Sequence, residues 1–214
     1  MPSPMSVSVI IPALNEAVTV GRVVEVAREA GVDEVIVVSD GSTDETAARA
    51  REAGAIVVEL SQRHGKGGAV IAGLAVSHGD IILLMDADLI GIRPEHVRAL
   101  LLPVLEGKAV MTVGLRDRGF LVPLMRFLPL VGGERALRRE VLEGLDPMLV
   151  QGFRLEVGMN AAAKKRGAVT TVFLPGLHIK TKIQKIGLLR GLVGYAKMWK
   201  QVAIAFWKVR NARY

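Results

Sequence analysis

The sequence predicts an α/β protein whose mostly parallel central sheet is flanked by helices. Short β-branched or apolar runs alternate with helical patterns of about 10 to 15 residues through the first half of the chain, which is typical of βαβ units. The 214 residues, 50% of them hydrophobic, are enough to build one sizeable core. Polar clusters follow the ends of the predicted strands, and such sheets bind ligands beyond the carboxyl ends of their strands. We therefore expect one domain with a ligand site at that edge.

The first half of the chain contains four predicted strands, at residues 7–11, 35–38, 55–60 and 81–85. The first and third helices are predicted at residues 15–31 and 64–78. The second helix follows the turn after the second strand. Ser42 and Glu45 there have the spacing of a capping box, so we expect them to cap that helix.

The second half is less regular. Helices are predicted at residues 94–105, 135–144 and 153–166, and strands at 109–113 and 169–174. Residues 116–133 form an apolar stretch broken by Pro123 and Pro129, which indicates a flap. We assign residues 1–184 to the globular domain and residues 185–214 to a basic amphipathic helix that is part of it or appended to it.

Composition excludes several classes of protein. The chain has no cysteine, so disulfide frameworks, zinc-thiolate sites and thiol nucleophiles are excluded. Residues 1–6 lack the pattern of a secretory leader, and no apolar run reaches the roughly 18 residues of a membrane span. We expect a cytoplasmic protein, with peripheral attachment to the inner face of the membrane as a second expectation.

The positive charge is concentrated in the last quarter of the chain. The net charge is +7, and twelve Lys and Arg residues follow Glu156, which is the last acidic residue. A basic tail of this kind serves nucleic acid, anionic lipid or a phosphorylated substrate.

Asp86 and Asp88 follow a short apolar run that reads as a buried strand. Side chains two apart on a strand point to the same face, so we expect the two carboxylates to serve one cation. Mg²⁺ and similar ions are held by few protein oxygens and completed by substrate phosphates. The spacing therefore predicts a Mg²⁺ or Mn²⁺ site for a diphosphate, with a loop-capping Asp pair as the alternative.

Two further clusters fit a nucleotide. Asp40 ends the second strand, where a carboxylate can accept hydrogen bonds from a base or ribose, although Asp is also common in turns. The residues Gly65-Lys66-Gly67-Gly68 offer backbone N–H groups and one cation, although they lack the Ser or Thr of a P-loop. A flexible surface turn remains the alternative for that loop.

Four motifs occur in order along the chain: residues 9–16 (VIIPALNE), 37–44 (VVSDGSTD), 65–69 (GKGGA) and 85–88 (MDAD). In this order and spacing the chain resembles the family 2 glycosyltransferases of GT-A fold. The resemblance implies a nucleoside-diphosphate sugar donor carrying UDP or GDP, with Mg²⁺ or Mn²⁺ bridging its diphosphate. It implies nucleotide binding by Pro12, Ala13, Asn15, Glu16, Asp40, Lys66 and Asp86, and it implies that Asp86 and Asp88, the DXD motif, hold the metal.

Residues 132–135, 139–142 and 152–158 resemble the glucosyl-3-phosphoglycerate synthase branch, whereas the small size of the chain is similar to polyprenyl-phosphate sugar transferases. The resemblance to the synthase branch implies a third metal ligand at His178, for which a solvated loop histidine is the alternative. The acceptor is expected to be phosphorylated. We take polyprenyl phosphate as the main prediction and a small soluble acceptor as the alternative.

The predicted reaction inverts the anomeric carbon without a covalent enzyme intermediate. An alcohol acceptor needs a base, for which Glu134 and Glu156 are the candidates, whereas a phosphate acceptor, with a second pKa of about 6, needs none. Both glutamates are also compatible with purely structural roles.

The apolar positions of the tail recur at steps of three or four from about Lys185 to Arg210, which predicts an amphipathic helix. The helix either lies on anionic lipid or packs on the sheet, and the apolar stretch from Phe120 to Val131 is a second hydrophobic surface for lipid.

A nucleotidyltransferase and a non-catalytic nucleic-acid-binding module are the alternative functional classes, although we do not expect nucleic acid as a partner. A homo-oligomer is compatible with the sequence.

Overall fold

The computed structural model describes residues 5–116, 133–145 and 154–179. The strands are β1 (Val7–Ala13), β2 (Glu34–Asp40), β3 (Ile56–Leu60), β4 (Ile81–Leu84), β5 (Leu89–Ile90), β6 (Met111–Arg116), β7 (Arg135–Arg138), β8 (Val169–Leu174) and β9 (His178–Ile179). The helices are α1 (Val20–Glu29), α2 (Thr46–Glu52), α3 (Gly65–Val76), α4 (Pro94–Leu105), α5 (Arg139–Glu143) and α6 (Arg154–Arg166).

Seven strands form one sheet in the order β3-β2-β1-β4-β7-β6-β8. All neighbouring pairs are parallel except the two made by β7, which runs antiparallel to both β4 and β6. The predicted α/β class with a mostly parallel central sheet is therefore confirmed. The carboxyl ends of β1, β2 and β4, which carry the polar motifs, meet at one edge of this sheet.

Helices cover both faces of the sheet, and alternate strand residues point into two separate cores. Val9 and Ile11 of β1 pack with α1 and α4, whereas Ile10 of the same strand packs with α3, α5 and α6. All four residues of β4 are buried, as expected for a strand that is covered on both faces.

The prediction of a continuous helix over residues 135–144 is wrong. Residues 135–138 form β7, and only residues 139–143 are helical. Ala136 packs into one core and Leu137 into the other, which is the alternation of a strand. Hydrogen-bonding partners on both sides, β4 and β6, outweigh the local helix propensity of this segment.

The predicted capping box is also wrong. α2 begins at Thr46, its N-cap residue Glu45 makes no side-chain capping hydrogen bond, and Ser42 instead accepts a hydrogen bond from the backbone N–H of Asn15. The carboxylate of Asp44 accepts from the backbone N–H of Thr46 at 3.0 Å. A contact between two loops therefore decides the role of Ser42, and sequence spacing alone does not reveal such a contact.

β5 and β9 form a separate two-stranded sheet that pairs Ile90 with His178. The predicted flap from Phe120 to Val131, the domain boundary at residue 184 and the predicted helix at residues 185–210 lie outside the described residues. Within the described part of the chain, no helix has both the length and the apolar character to cross a bilayer.

Candidate active site

Asp40 fixes the amino end of α3. Its Oδ1 accepts a hydrogen bond from the backbone N–H of His64 at 2.6 Å, and its Oδ2 accepts one from Gly65 at 2.8 Å. Asp40 is only 4% exposed, and Gly65 has a φ of +77°, which glycine adopts without strain. The strand-end carboxylate thus positions the first turn of α3, which carries Lys66. A direct contact with the nucleotide stays a prediction.

Replacing Asp40 with asparagine is expected to lower the free energy of unfolding by about 1.5–3 kcal/mol. One carboxylate oxygen becomes an NH₂ group that faces a backbone N–H, so a hydrogen bond to a charged acceptor is lost where water is excluded. Thermal unfolding measures the loss, and Glu52→Gln, in an exposed ion pair with Arg49, is the control. An unchanged midpoint for Asp40→Asn contradicts the positioning role.

Hydrogen bonds join the loops that carry the first two motifs. Asn15, with a φ of +54°, accepts a hydrogen bond from the backbone N–H of Thr43 at 2.9 Å. The backbone N–H of Glu16 donates to Oγ1 of Thr46 at 2.8 Å, and that of Ala17 donates to Asp44 at 3.2 Å. Asn15 therefore supports the neighbouring loop. Pro12 and Ala13 lie at the end of β1, beside this loop pair. The nucleotide contacts predicted for Pro12, Ala13, Asn15 and Glu16 remain predictions.

A network of charged side chains lies at the same edge and links four elements. Lys66 of α3 donates to Oδ1 of Asp86, which follows β4, at 2.7 Å. Arg116, the last residue of β6, donates through Nη2 to Oδ2 of Asp86. It also donates to both carboxylate oxygens of Glu134, at 2.8 Å from Nε and 2.5 Å from Nη2. Both oxygens of Asp86 are thus engaged by side-chain cations.

Glu156, in the first turn of α6, extends the network. Its Oε1 lies 3.6 Å from Nζ of Lys66, and its buried Oε2 has no hydrogen-bond partner among the described residues. One turn later, Asn160 accepts a hydrogen bond at 2.6 Å from Nη1 of Arg135. Burial lowers the pKa of the Arg135 guanidinium to about 10, because the charges of Glu156 and Glu134 offset only part of the desolvation.

The charges of the network stabilise one another. Burial lowers the pKa of Lys66, but the carboxylates of Asp86 and Glu156 outweigh it and raise that pKa above its ordinary value. Burial raises the pKa of Asp86, but Lys66 and Arg116 outweigh it and hold that pKa well below its usual range. A lowered carboxyl pKa stabilises the fold above the unfolded value of 3.8, and this contribution is lost as the pH falls through the folded value. The network is therefore intact at neutral pH.

The three predicted metal ligands, Asp86, Asp88 and His178, do not form a preorganised metal site. Among residues 5–116, 133–145 and 154–179, no group of three or more His, Asp or Glu side chains is arranged to hold a metal ion. β4 ends at Leu84, so the predicted strand alternation does not extend to Asp86 or to Asp88, which lies in the turn before β5. His178 is exposed, and its Nδ1 lies 3.1 Å from the carbonyl oxygen of Gly176.

The donor set nevertheless fits a metal that is completed by substrate. Carboxylate oxygens are the donors that Mg²⁺ and Mn²⁺ prefer, and one or two of them suffice when phosphates supply further ligands. Asp86 and Asp88 are two residues apart at the sheet edge, and β9 places His178 opposite Ile90, two residues after Asp88.

Arg116 was not identified from the sequence. It lies 30 residues from Asp86 and 18 from Glu134. The signal in the sequence was a buried strand that ends in an arginine, in a sheet whose β2 ends at Asp40 and whose β4 leads into Asp86. The hydrogen bond from Arg135 to Asn160 depends on β7 being a strand, which the hydrophobic pattern of residues 135–144 does not predict.

The comparison with protein families agrees with this geometry. A family model described as Glycosyl transferase family 2 matches residues 8–155. The chain belongs to this family. The resemblance that the four sequence motifs indicated is thus confirmed.

Several relatives are glucosyl-3-phosphoglycerate synthases. That of Mycolicibacterium paratuberculosis is 42% identical over 118 residues, and the match covers 50% of this chain and 36% of the relative. The match thus spans about a third of the synthase's own length. Glycosyltransferase AglJ of Haloferax volcanii is 32% identical over 194 residues, which cover 80% of this chain and 63% of that protein.

Solved structures show the same fold. Glucosyl-3-phosphoglycerate synthase from Mycobacterium tuberculosis, in complex with Mn²⁺, uridine-diphosphate-glucose and phosphoglyceric acid, superposes with a TM-score of 0.80 at 30% identity. The superposition covers 96% of this chain and 79% of that chain. Another complex of that enzyme contains Mg²⁺ and uridine-diphosphate. The predicted GT-A fold is confirmed, and both predicted ions occur with a nucleotide in structures of a relative.

Proposed function

We propose that this family 2 protein transfers a sugar from a nucleoside-diphosphate sugar to a small phosphorylated acceptor of the phosphoglycerate kind. The observation that carries the proposal is the Lys66–Asp86 pair at the carboxyl edge of the sheet, at 2.7 Å. It brings a cation and a carboxylate from two of the family motifs to the place where a diphosphate is expected. Uridine-diphosphate-glucose is the donor to test first, since it is bound in a synthase structure that resembles this chain.

Different residues of this chain would bind different parts of the donor. Asp40 holds the amino end of α3, and Lys66 on that helix would contact the diphosphate. Asp86 and Asp88 would hold Mg²⁺ or Mn²⁺, with His178 as a third ligand. When bound, such an ion offsets the charge that develops on the departing diphosphate. The loops at Asn15 and Thr43, which a hydrogen bond joins, would form part of the nucleotide pocket.

The small acceptor replaces polyprenyl phosphate as the main proposal. The relatives named glucosyl-3-phosphoglycerate synthase favour it. The arguments for a lipid acceptor and for a peripheral membrane contact came from the predicted tail helix and flap, which lie outside the described residues. Membership of a glycosyltransferase family argues against a nucleotidyltransferase and a nucleic-acid-binding module.

Glu156 is the better of the two proposed bases. Both oxygens of Glu134 accept hydrogen bonds from Arg116, and Glu134 is fully buried. Glu156 keeps one oxygen without a hydrogen-bond partner among the described residues.

Inversion of the anomeric carbon stays a prediction, and the NMR coupling constant of the product's anomeric proton tests it.

The activity is tested by incubating the full chain with uridine-diphosphate-glucose and Mn²⁺, with 3-phosphoglycerate or with a polyprenyl phosphate in detergent micelles. Release of uridine diphosphate that depends on 3-phosphoglycerate, with the glucosylated product seen by mass spectrometry, is the expected result. Transfer to the polyprenyl phosphate alone refutes the small acceptor. Absence of transfer with every nucleotide sugar and acceptor tried refutes the proposed function.

Replacing Asp88 with alanine is expected to abolish turnover and to remove the metal dependence of donor binding, while the fold is kept. The residue is partly buried in a turn at the edge of the sheet, so its truncation removes little core packing. Turnover and the donor Kd with and without Mn²⁺ are the measurements, with circular dichroism as the check on folding. Full activity with unchanged Mn²⁺ dependence contradicts the metal assignment of Asp88.

A further inference from the structure

Asp86 lies between two side-chain cations, and each of these cations has a second carboxylate within reach. Lys66 contacts Oδ1 of Asp86 and lies 3.6 Å from Oε1 of Glu156. Arg116 contacts Oδ2 of Asp86 and makes a bidentate pair with Glu134. The central carboxylate is thus shared, whereas the two outer carboxylates are buried at the ends of the chain of charges.

We propose that Arg116 and Lys66 compete with a divalent cation for Asp86, and that Glu134 and Glu156 hold these two side chains when a cation takes their place. Arg116 is then a positioning residue that controls when Asp86 is available. The inference rests on the proposed function in one respect, because it takes Asp86 to be part of the diphosphate site.

The geometry lets Arg116 release Asp86 at low cost. A guanidinium has five N–H donors in a rigid fork, and Nη2 of Arg116 is the atom that contacts both Asp86 and Glu134. If the contact with Asp86 opens, the bonds from Nε and Nη2 to Glu134 remain, at 2.8 and 2.5 Å. A buried arginine is therefore not left without a counter-charge, which is the situation that makes breaking a buried ion pair expensive.

Lys66, on the other side of Asp86, also has a second carboxylate nearby if it releases Asp86. An ammonium has three donors on a flexible stem, and Oε1 of Glu156 is less than 1 Å beyond the distance of a direct hydrogen bond. Lys66 is therefore able to turn from Asp86 to Glu156, or to a phosphate of the donor, without losing all its partners.

The backbone is adapted to this contact at Gly133. A Cβ at this position would collide with the carboxylate of Asp86 and lie 2.7 Å from Nη2 of Arg116. The missing side chain lets the start of β7 approach the shared carboxylate, so that Glu134 reaches Arg116 from the adjoining residue.

The test measures Mn²⁺ binding directly, from the electron paramagnetic resonance signal of free Mn²⁺, on the full chain without nucleotide and then with uridine diphosphate. The variants are Glu134→Gln, Arg116→Gln and the double variant. The double variant is the decisive one, because it removes Arg116 together with its buried counter-charge Glu134 and does not change the net charge. Arg22→Gln, on the exposed face of α1, is the matched control for loss of an ion-paired arginine.

The double variant is expected to bind Mn²⁺ roughly tenfold more tightly than the wild type. This is the size of effect that groups contacting metal ligands have on metal affinity, with the opposite sign because the group removed is a competitor. Glu134→Gln is expected to bind Mn²⁺ more weakly, since Arg116 then has Asp86 as its remaining charged partner. Arg22→Gln should leave the affinity unchanged. A purely structural role for the pair predicts weaker binding in both Glu134→Gln and the double variant.

The outcomes separate this inference from the proposed function. A double variant that binds Mn²⁺ no more tightly than the wild type, in a protein that transfers glucose, overturns the competition alone. Absence of transfer, with Mn²⁺ affinities in the expected order, removes the proposed function and supports the competition. If neither the wild type nor any variant binds Mn²⁺, with or without uridine diphosphate, both are overturned.

Discussion

Replacing Arg116 with alanine is expected to lower the free energy of unfolding by about 3–5 kcal/mol, the usual cost of removing one partner from a buried ion pair. The Arg116 side chain is 8% exposed and Glu134 is fully buried, so truncation leaves the Glu134 carboxylate without its counter-charge and out of water. Asp86 also loses one of its two cations. Chemical denaturation monitored by circular dichroism measures this loss.

Two comparisons assign the cause of the loss. Arg22→Ala removes an arginine whose ion pairs are more than half exposed, so it should change stability by no more than about 0.5 kcal/mol. The double change of Arg116→Met and Glu134→Leu should recover most of the stability, because apolar residues of similar volume often replace a buried pair at no cost. A double variant as unstable as Arg116→Ala would mean that packing, and not an unpaired charge, causes the loss.

Asp86→Asn is expected to reduce kcat by roughly 10²–10³-fold, comparable to the loss of one preorganised electrostatic contact in an active site. The amide has no charge for a metal ion, and one of its two positions is a donor that faces either Lys66 or Arg116. Initial rates over a range of Mn²⁺ concentrations measure the loss and show whether excess ion rescues it.

Asp80→Asn is the matched control for this change. Asp80 directly precedes β4, at the opposite edge of the sheet, where its carboxylate accepts a hydrogen bond from the backbone N–H of Ser6 at 2.9 Å. Its loss should leave kcat unchanged. Asp86→Asn with wild-type kcat and wild-type Mn²⁺ dependence would remove Asp86 from the diphosphate site.

Hydrophobic patterning predicted most of the fold because each early strand carries its own signal. β1, β2 and β4 are covered on both faces, so their sequences are nearly continuous apolar runs that end at polar turns. The helix from Pro94 to Leu105 was predicted with its observed limits, since proline at its first position sets where it begins.

Prediction failed at elements whose structure depends on distant partners. Residues 135–138 become a strand because β4 and β6 offer unpaired edges on either side. Ser42 bonds to the loop at Asn15 instead of capping α2. In both cases the competing local structure was reasonable, and contacts with residues far away in the chain reversed the balance.

The candidate site divides in the same way. The order and spacing of four motifs determined the family and identified Asp40, Lys66, Asp86 and Asp88 as candidates, because residues that follow parallel strands are brought to one edge by the βαβ topology itself. Only the tertiary structure decided that Asp40 holds the backbone at His64 and Gly65, that Arg116 contacts Asp86, and that Glu134 is buried against it. Such contacts follow from the antiparallel insertion of β7 and from loop packing. Hydrophobic periodicity predicts neither the insertion of β7 nor the packing of the loops. It indicates on which face of a strand or helix a residue lies, but not which charged side chain it contacts there.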